Sequence, residues 1–409
     1  MKGLVINRHP TNFSRLPLTL FALILTLCHG SPVQGGEPGS EQLARSFSER
    51  KLGPAEILGE LGIEAPRSCL DFTDRDVLDA RKARWASAIA VLNHTHPDQL
   101  VGWIVGSTPP PKAALREAEF QKDCLLAAMI GDVNRSPLRL RVILNYGDVF
   151  EGEVANARQL ASRFEQTPGW RRRILSHLTQ SSYRDAKSQS HIWMRKYLFE
   201  GRSFNIVSEQ AGERCGLPAG QTWKPESSRH HRCWKEQLSP EEREREILHA
   251  SSAPGISRHH WGSEFDLFSL NPNSFTDGAP LNHDYQWMTQ HALNFGFFQP
   301  YRGEKAKGGH AGYMEERWHW SYLPLAQAIH DFIAANETRV ERALNHQWDE
   351  FEARSNRWRR AKIAYFPFVR SRWRDYVFNI DLPPAPTVVA EAEPEPELEA
   401  RSDVLSNEP

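Results

Sequence analysis

The stretch Ser257-Arg-His-His-Trp-Gly-Ser-Glu-Phe-Asp266 decides how this chain is interpreted. It places the imidazole of His259 and the carboxylate of Asp266 seven positions apart, with Gly262 between them. Because glycine permits a tight turn, His259 can lie at the end of one strand and Asp266 on the next, with both side chains facing the same space. The stretch therefore predicts two neighbouring strands that present a pair of metal ligands.

A second stretch, Glu315-Glu-Arg-Trp-His-Trp320, adds another imidazole and further carboxylates. Side chains alternate along a strand, so Glu316 and His319 would point to opposite faces within one strand. They can meet the same metal only if the strand begins near Trp318 and Glu316 hangs from the loop before it.

The two stretches together resemble the signature of the zinc D-alanyl-D-alanine carboxypeptidases of bacterial cell-wall metabolism, a VanY-like family with the hedgehog-type zinc peptidase fold. That signature runs S-x-H-x-x-G-x-x-x-D and then E-x-W-H. A third element is similar to the family's S-x-[F/Y]-R strand end and the helix after it: Ser182-Tyr183-Arg184 with Gln189, Ile192, Trp193 and Lys196. The stretch from Trp287 to Tyr301 also fits. The resemblance covers about residues 175–325.

The resemblance implies a metal centre with a carboxylate that transfers protons. His259, Asp266 and His319 would hold one Zn²⁺ per chain and leave a fourth position for water, whose pKa bound zinc lowers to about 7. Glu316 would take a proton from that water and return it to the leaving amine, because a carboxylate beside the metal can do both in turn.

The resemblance also implies residues that bind the substrate. Arg184 would form a two-pronged pair with the free carboxylate of the peptide. Gln189 and Ser257 would orient the site, and Trp318 would form its wall.

The implied activity is that of a D,D-carboxypeptidase, a zinc enzyme that hydrolyses D-Ala-D-Ala type amide bonds in peptidoglycan stem peptides. Two alternatives stay open. One is an endopeptidase that cuts peptidoglycan cross-links with the same zinc chemistry, against which Arg184 argues mildly because an internal bond offers no free carboxylate. The other is an inactive protein that binds the cell wall.

Two positions depart from the family pattern. Glu264 stands where relatives have alanine, and by strand alternation it faces the same side as Asp266. We expect Glu264 to lie in water at the sheet edge; the alternative is a weak extra ligand. Arg317 stands where relatives often have proline. These departures put the choice of substrate in doubt more than metal binding.

The remaining histidines of this region are expected to be surface or packing residues, because none has a partner at a comparable ligand spacing: His230, His231, His260, His283 and His291. His310, in the glycine-rich loop before Glu316, is expected to be a surface or packing residue too, and it is the one to test for contact with a developing oxyanion.

Other chemistries find no support. No Walker loop or G-x-G-x-x-G motif is present, and Ser257 has no G-x-S-x-G turn around it. Of the 409 residues, 40% are hydrophobic and 25% charged, which is ordinary for a globular protein. The net charge of the whole chain is -1, and the body between its basic start (+3) and its acidic end (-7) carries +3, which is too weakly basic to predict binding of nucleic acid.

The ends of the chain differ from its body. Residues 1–30 have a basic start, an apolar run and then small residues, which predicts a signal peptide and an exported, periplasmic or cell-surface protein. An uncleaved signal that anchors the chain in the membrane is the alternative. Residues 381–409 hold eight acidic residues and many prolines, which predicts a disordered tail.

Between these ends we predict an α+β protein with a small antiparallel sheet that carries the zinc site and is flanked by helices. Residues 41–150 form an N-terminal region of unknown role, residues 151–325 the peptidase domain and residues 326–380 a basic helical extension. Helices are predicted at 80–92 and 186–199, and strands at 138–142, 264–270 and 318–322. Apolar residues repeat on one helical face after Pro324: Leu325, Ala328, Ile329, Phe332, Val340, Leu344, Trp348 and Phe351.

Four cysteines remain once Cys28 leaves with the signal peptide. An even number in an exported chain favours disulfides. We prefer Cys69–Cys124 with Cys215–Cys233, because each bridge then closes a local loop; four buried thiols are the alternative.

Between Arg354 and Arg374 there are eight basic residues and no acidic ones until Asp375, together with Trp358 and Trp373. One interpretation is a solvated face with the tryptophans packed beneath it. The other is contact with an anionic wall polymer or a membrane surface. The oligomeric state cannot be predicted from these patterns.

Overall fold

The computed structural model describes residues 38–64, 68–132, 175–302, 312–354 and 366–383, apart from residues 177 and 379. The predicted signal peptide, the predicted strand 138–142, His310 and the acidic tail from residue 384 lie outside the described residues. The described α-helices are α1 Pro38–Glu49, α2 Pro54–Glu60, α3 Arg75–Thr95, α4 Pro97–Ile104, α5 Lys112–Gly131, α6 Ala186–Tyr197, α7 Glu209–Cys215, α8 Ser228–Arg232, α9 Pro240–Leu248, α10 Asn282–His291, α11 Leu323–Ala335, α12 Glu337–Arg354 and α13 Pro367–Phe378.

The described strands are β1 Thr179–Ser181, β2 Phe204–Ile206, β3 Thr222–Trp223, β4 Glu264–Leu267, β5 Phe297–Phe298 and β6 His319–Tyr322. Four of them form an antiparallel sheet with the order β1-β4-β6-β5. Strands β2 and β3 pair separately as a two-stranded antiparallel sheet. The α+β class and the small antiparallel sheet are therefore confirmed.

The turn before β4 differs from its prediction. His259 does not end a strand, because Arg258–Trp261 form a 3-10 turn that Gly262 terminates. Gly262 has a φ of +79°, a backbone conformation that residues other than glycine rarely adopt. A Cβ at this position would lie 2.6 Å from the side chain of Leu115. The chain reverses too sharply at this point for a second strand to form.

Helices of the N-terminal region pack directly behind the sheet. The Trp103 indole donates a hydrogen bond to the Trp261 carbonyl at 3.0 Å, and the Tyr322 hydroxyl of β6 donates to Glu117 at 2.8 Å. Buried apolar side chains from Leu43 to Ile380 form one continuous cluster. The N-terminal region thus supports the sheet from behind, whereas the domain boundaries stay predictions.

The C-terminal helices bury the apolar face that the sequence predicts. Trp348 on α12 and Trp373 on α13 are fully buried. Arg370 forms an ion pair with Asp349, and Arg374 with Glu341. These pairs support the interpretation of the basic segment as a solvated face with tryptophan packed beneath it. Residues 355–365, which include Trp358, lie outside the described residues.

The two preferred disulfides, Cys69–Cys124 and Cys215–Cys233, are both present and confirm the predicted pairing. They close loops of 55 and 18 residues. Loops of these lengths correspond to about 4 and about 3 kcal/mol of stabilisation in the chain-entropy account. Among the residues described, no helix has both the length and the apolar character needed to cross a bilayer.

Candidate active site

Two strands and a turn bring together three side chains of the types that bind metals. In the register of β4 and β6, Asp266 lies opposite His319, and His259 reaches them from the 3-10 turn. His319 Nδ1 is 3.0 Å from Asp266 Oδ1, and His259 Nε2 is 3.3 Å from Asp266 Oδ2. All three residues are buried, and one ligand atom from each lies within 4.8 Å of the others.

The orientation of His259 is set by the backbone. Its Nδ1 lies 2.7 Å from the Ser182 carbonyl oxygen. A carbonyl only accepts hydrogen bonds, so Nδ1 donates and Nε2 keeps its lone pair for a metal. Burial lowers the pKa of His259 and favours the neutral ring that metal binding requires.

His319 lies between two carboxylates. Its Nδ1 faces Asp266, and its Nε2 is 2.8 Å from Glu264 Oε2. Burial alone would lower the pKa of His319, but hydrogen bonds to Asp266 and Glu264 outweigh burial and raise the pKa to about 10. Carboxylates on both sides of one imidazole make this position favourable for positive charge, as a cation site requires.

Glu316 lies in the loop just before β6. This position confirms the arrangement that the sequence requires if Glu316 and His319 are to reach the same metal. Its Oε2 lies 3.6 Å from His319 Nδ1. Its backbone is fixed, because the amide donates to the Tyr301 carbonyl and the carbonyl accepts from Gln299 Nε2, both at 3.1 Å. Burial raises the pKa of Glu316 to about 8, which places this carboxyl in the range suited to proton exchange near neutral pH.

One cavity of about 1020 Å³ joins these groups to the predicted substrate-binding residues. It extends from His259, Asp266 and His319 to strands β2 and β3. All eight residues to which the resemblance gives a role in the site line it: Arg184, Gln189, Ser257, His259, Asp266, Glu316, Trp318 and His319.

Arg184 and Gln189 present unpaired polar atoms in this part of the molecule. Arg184 follows β1, and its backbone carbonyl accepts a hydrogen bond from His260 Nδ1 at 2.6 Å. Within the described residues, Arg184 Nε and Gln189 Oε1 are buried and have no hydrogen-bond partner. Gln189 is held through its other amide atom, which donates to the Ser252 carbonyl at 2.6 Å. Buried polar atoms without protein partners point to a ligand or solvent in the cavity.

Ser257 and Trp318 are both buried in the cavity wall. The Ser257 carbonyl accepts from the His260 amide at 3.0 Å and stabilises the 3-10 turn. The Trp318 ring packs against Phe275 at a centroid distance of 6.4 Å. Their positions agree with the implied roles, which stay predictions.

The expectation for Glu264 was wrong. Glu264 is fully buried rather than solvated, because β4 lies between β1 and β6 and is not a sheet edge. It is not one of the residues that line the cavity, it is not part of the group of His259, Asp266 and His319, and it contacts His319. The unusual residue was visible in the sequence, but its buried partners Arg258 and Ser321 were not.

The other histidines within the described residues behave as expected. His260 is fully buried, burial lowers its pKa to about 3, and it supports Arg184 from behind. His230 is buried and accepts from the Lys224 amide at 3.4 Å. His231 and His283 are exposed, and His291 is half-buried.

Lys196 is a further cavity residue to which the sequence assigned no role. Its Nζ donates to Asn205 Oδ1 at 2.9 Å and to Ser251 Oγ. Burial lowers the pKa of Lys196 to about 7. The resemblance covered Lys196 by position, and only the fold shows that it lines the cavity.

Comparison with known protein families agrees with the resemblance seen in the motifs. Residues 158–325 match the sequence model of the VanY family, described as D-alanyl-D-alanine carboxypeptidase. This segment contains all eight candidate site residues and supports a VanY-like assignment for that part of the chain. At family level, the match supports a carboxypeptidase-type hydrolase of peptidoglycan. Searches of curated proteins and of solved structures find no match.

Proposed function

We propose that this protein is a zinc-dependent D,D-carboxypeptidase that removes the terminal D-alanine from peptidoglycan stem peptides. The observation that carries the proposal is the single cavity in which three clustered metal-binding side chains, a buried glutamate and an arginine with an unpaired buried nitrogen face one another. The family match over residues 158–325 supports the same reaction class.

The donor set fits zinc. Two imidazole nitrogens and one carboxylate oxygen are ligands that zinc accepts, and three protein ligands leave a position open toward the cavity. His259 would bind through Nε2, because its Nδ1 is engaged by the Ser182 carbonyl. When bound, zinc would polarise the scissile carbonyl and lower the pKa of water at the open position.

Glu316 would carry protons between water and the leaving group. Its carboxylate would accept a proton from the attacking water and then donate that proton to the amine of the departing D-alanine, so the carboxylate is restored at the end of the cycle. The buried position of Glu316 beside His319 Nδ1 supports this role.

Arg184 would hold the terminal carboxylate of the substrate. A guanidinium can form two parallel hydrogen bonds with a carboxylate, which fixes both position and orientation. Gln189 would help to orient the site beside Arg184, and Trp318 would limit the width of the cavity.

The test is mass spectrometry of a mixture of monomeric pentapeptide muropeptides and cross-linked dimers, after incubation with the zinc-loaded protein. We expect loss of one alanine from the monomers, and no loss with Glu316→Gln. Conversion of dimers to monomers would instead establish an endopeptidase. Stoichiometric zinc without any cleavage would favour a wall-binding protein.

We also propose that the protein is exported and acts in the periplasm or at the cell surface. The basic and apolar start of the chain and its two disulfides support export. N-terminal sequencing of the protein isolated from its host would test whether residues 1–30 are removed.

A further inference from the structure

Glu264 is held by four side chains in the interior of the sheet. Its Oε1 accepts from Ser321 Oγ at 2.6 Å and from Ser263 Oγ at 2.9 Å, and lies 3.2 Å from Arg258 Nη2. Its Oε2 lies 2.8 Å from His319 Nε2. One carboxylate oxygen is therefore anchored by three groups, while the other faces a predicted metal ligand.

This arrangement determines which nitrogen of His319 is available. A carboxylate only accepts hydrogen bonds, and both ring nitrogens of His319 face one: Nε2 faces Glu264 and Nδ1 faces Asp266. Asp266 is itself a proposed metal ligand, so with the metal bound Glu264 is the carboxylate that accepts a proton from the ring, and it accepts that proton from Nε2. In the neutral ring the lone pair then lies on Nδ1. Nδ1 is the atom that lies beside Asp266 and Glu316.

We propose that Glu264 is a positioning residue of the metal centre: it fixes the tautomer and the ring orientation of His319 so that Nδ1 binds zinc. This inference rests on the proposed function, because it needs a metal held by His259, Asp266 and His319. The Ser182 carbonyl does the same for His259, but the carboxylate of Glu264 also increases the basicity of the ligand nitrogen. The resemblance implies alanine at this position, and an alanine side chain has no group that could accept this hydrogen bond.

Burial makes the contact specific. A carboxylate removed from water is retained only when it is well paired, and Arg258, which is 1% exposed, supplies the opposite charge. Arg258 Nη2 also donates to Ser321 Oγ at 2.9 Å, which orients that hydroxyl. Glu264 therefore has little freedom to turn away from His319.

The decisive variant is Glu264→Gln, which keeps the size of the side chain. The glutamine oxygen can still accept from Arg258, Ser263 and Ser321, but the amide group then donates toward His319 Nε2. That contact favours the tautomer with the proton on Nδ1. A protonated Nδ1 has no lone pair with which to bind the metal. The reverse amide orientation is unfavourable, because it places donors against the guanidinium of Arg258.

We expect the zinc dissociation constant, measured by competition with a chelating dye, to rise about 10- to 100-fold in Glu264→Gln. The matched control is Glu117→Gln, which alters another fully buried glutamate that is paired with arginine and bonded to β6. The zinc dissociation constant of Glu117→Gln should stay within about twofold of the wild-type value. This should hold even if Glu117→Gln lowers the unfolding temperature as much as Glu264→Gln does.

The outcomes separate this inference from the proposed function. A wild-type protein that binds no zinc would overturn the proposed metal centre and, with it, the role of Glu264. A zinc-binding wild type with an equally tight Glu264→Gln variant would overturn the role of Glu264 alone. If the variant fails to fold, nitrogen-15 NMR of histidine in the zinc-loaded wild type decides: a proton on Nε2 of His319 supports the inference, and a proton on Nδ1 refutes it.

Discussion

Glu117 and Glu264 are two buried glutamates that pair with arginine and contact neighbouring residues of β6. Glu117 accepts from the Tyr322 hydroxyl at 2.8 Å and from the Trp85 indole at 3.1 Å, and forms an ion pair with Arg81. Glu264 contacts Ser321, which precedes Tyr322 on the strand. Because adjacent residues of a strand point to opposite faces, the two glutamates stabilise opposite faces of the sheet.

The two glutamates differ in the residues that their hydrogen-bond networks include, where each network is the set of side chains that bond to or pair with the glutamate. The groups that bond to Glu117 tie the N-terminal helices to the sheet, and Glu117 is not among the residues that line the cavity. The Glu264 network includes His319, which does line it. The same residue types therefore serve stability on one face and, in our proposal, metal binding on the other.

The largest effect is expected for Glu316→Gln, which alters a cavity residue outside the hydrogen bonds of Glu117 and Glu264 and 3.6 Å from His319 Nδ1. Loss of the proton carrier should lower kcat by about 10²- to 10⁴-fold, whereas zinc affinity and the free energy of unfolding should change little. Steady-state hydrolysis of a pentapeptide, with zinc titration of the same sample, measures both. Unchanged turnover would remove Glu316 from the mechanism.

Glu117→Ala should distinguish most clearly between the stabilising role of one face of the sheet and the proposed metal-binding role of the other. The substitution leaves Arg81 largely buried without its charge partner, so we expect a loss of about 3–5 kcal/mol in the free energy of unfolding. Urea denaturation measures this loss. The protein that remains folded should bind zinc as tightly as the wild type; weaker binding would show that the two networks are coupled.

Arg184→Ala tests the substrate side of the cavity. Removal of a charge-assisted pair corresponds to about 1.5–3 kcal/mol, so kcat/KM for a peptide with a free carboxylate should fall about 10- to 100-fold. The same comparison with a C-terminally amidated peptide is the control, and there the variant and the wild type should differ much less. Equal losses on both peptides would contradict carboxylate binding by Arg184.

Glu244 extends the comparison to a buried glutamate that has no arginine among its hydrogen-bond partners in the described residues. Its Oε2 accepts from the Val369 amide at 3.0 Å, while its Oε1 has no partner there. Burial raises the pKa of Glu244 from 4.5 to about 8. The folded protein therefore binds a proton that the unfolded chain releases between these values, and this group destabilises the fold progressively as pH rises from about 4.5 to about 8.

Glu244→Gln removes that dependence on pH. The variant should gain stability relative to the wild type as pH rises through this window, because glutamine carries no charge to bury. Thermal unfolding at pH 5 and at pH 8 measures the difference. A constant difference between the two proteins would show that Glu244 does not titrate in this range.

Much of the site could be predicted because its signals are local. The spacing of His259 from Asp266, and of Glu316 from His319, limits how the chain can arrange these groups, and the structure brings all four into one cavity. The preferred pairing of the four cysteines also followed from short loops. The strand assigned to His259 was wrong, because a 3-10 turn and a left-handed glycine reverse the chain within a few residues.

The sequence by itself determined which side chains can carry the chemistry and that they lie in an α+β protein, because residue types and short spacings are properties of the covalent chain. Only the tertiary structure decided what surrounds them. Glu264 is separated from Ser321 by 57 positions, and the strand order β1-β4-β6 buries it instead of leaving it at an edge. Whether Glu264 lies in water or contacts His319 depends on this long-range pairing of strands. The spacing of residues within a short stretch of sequence carries no information about that pairing.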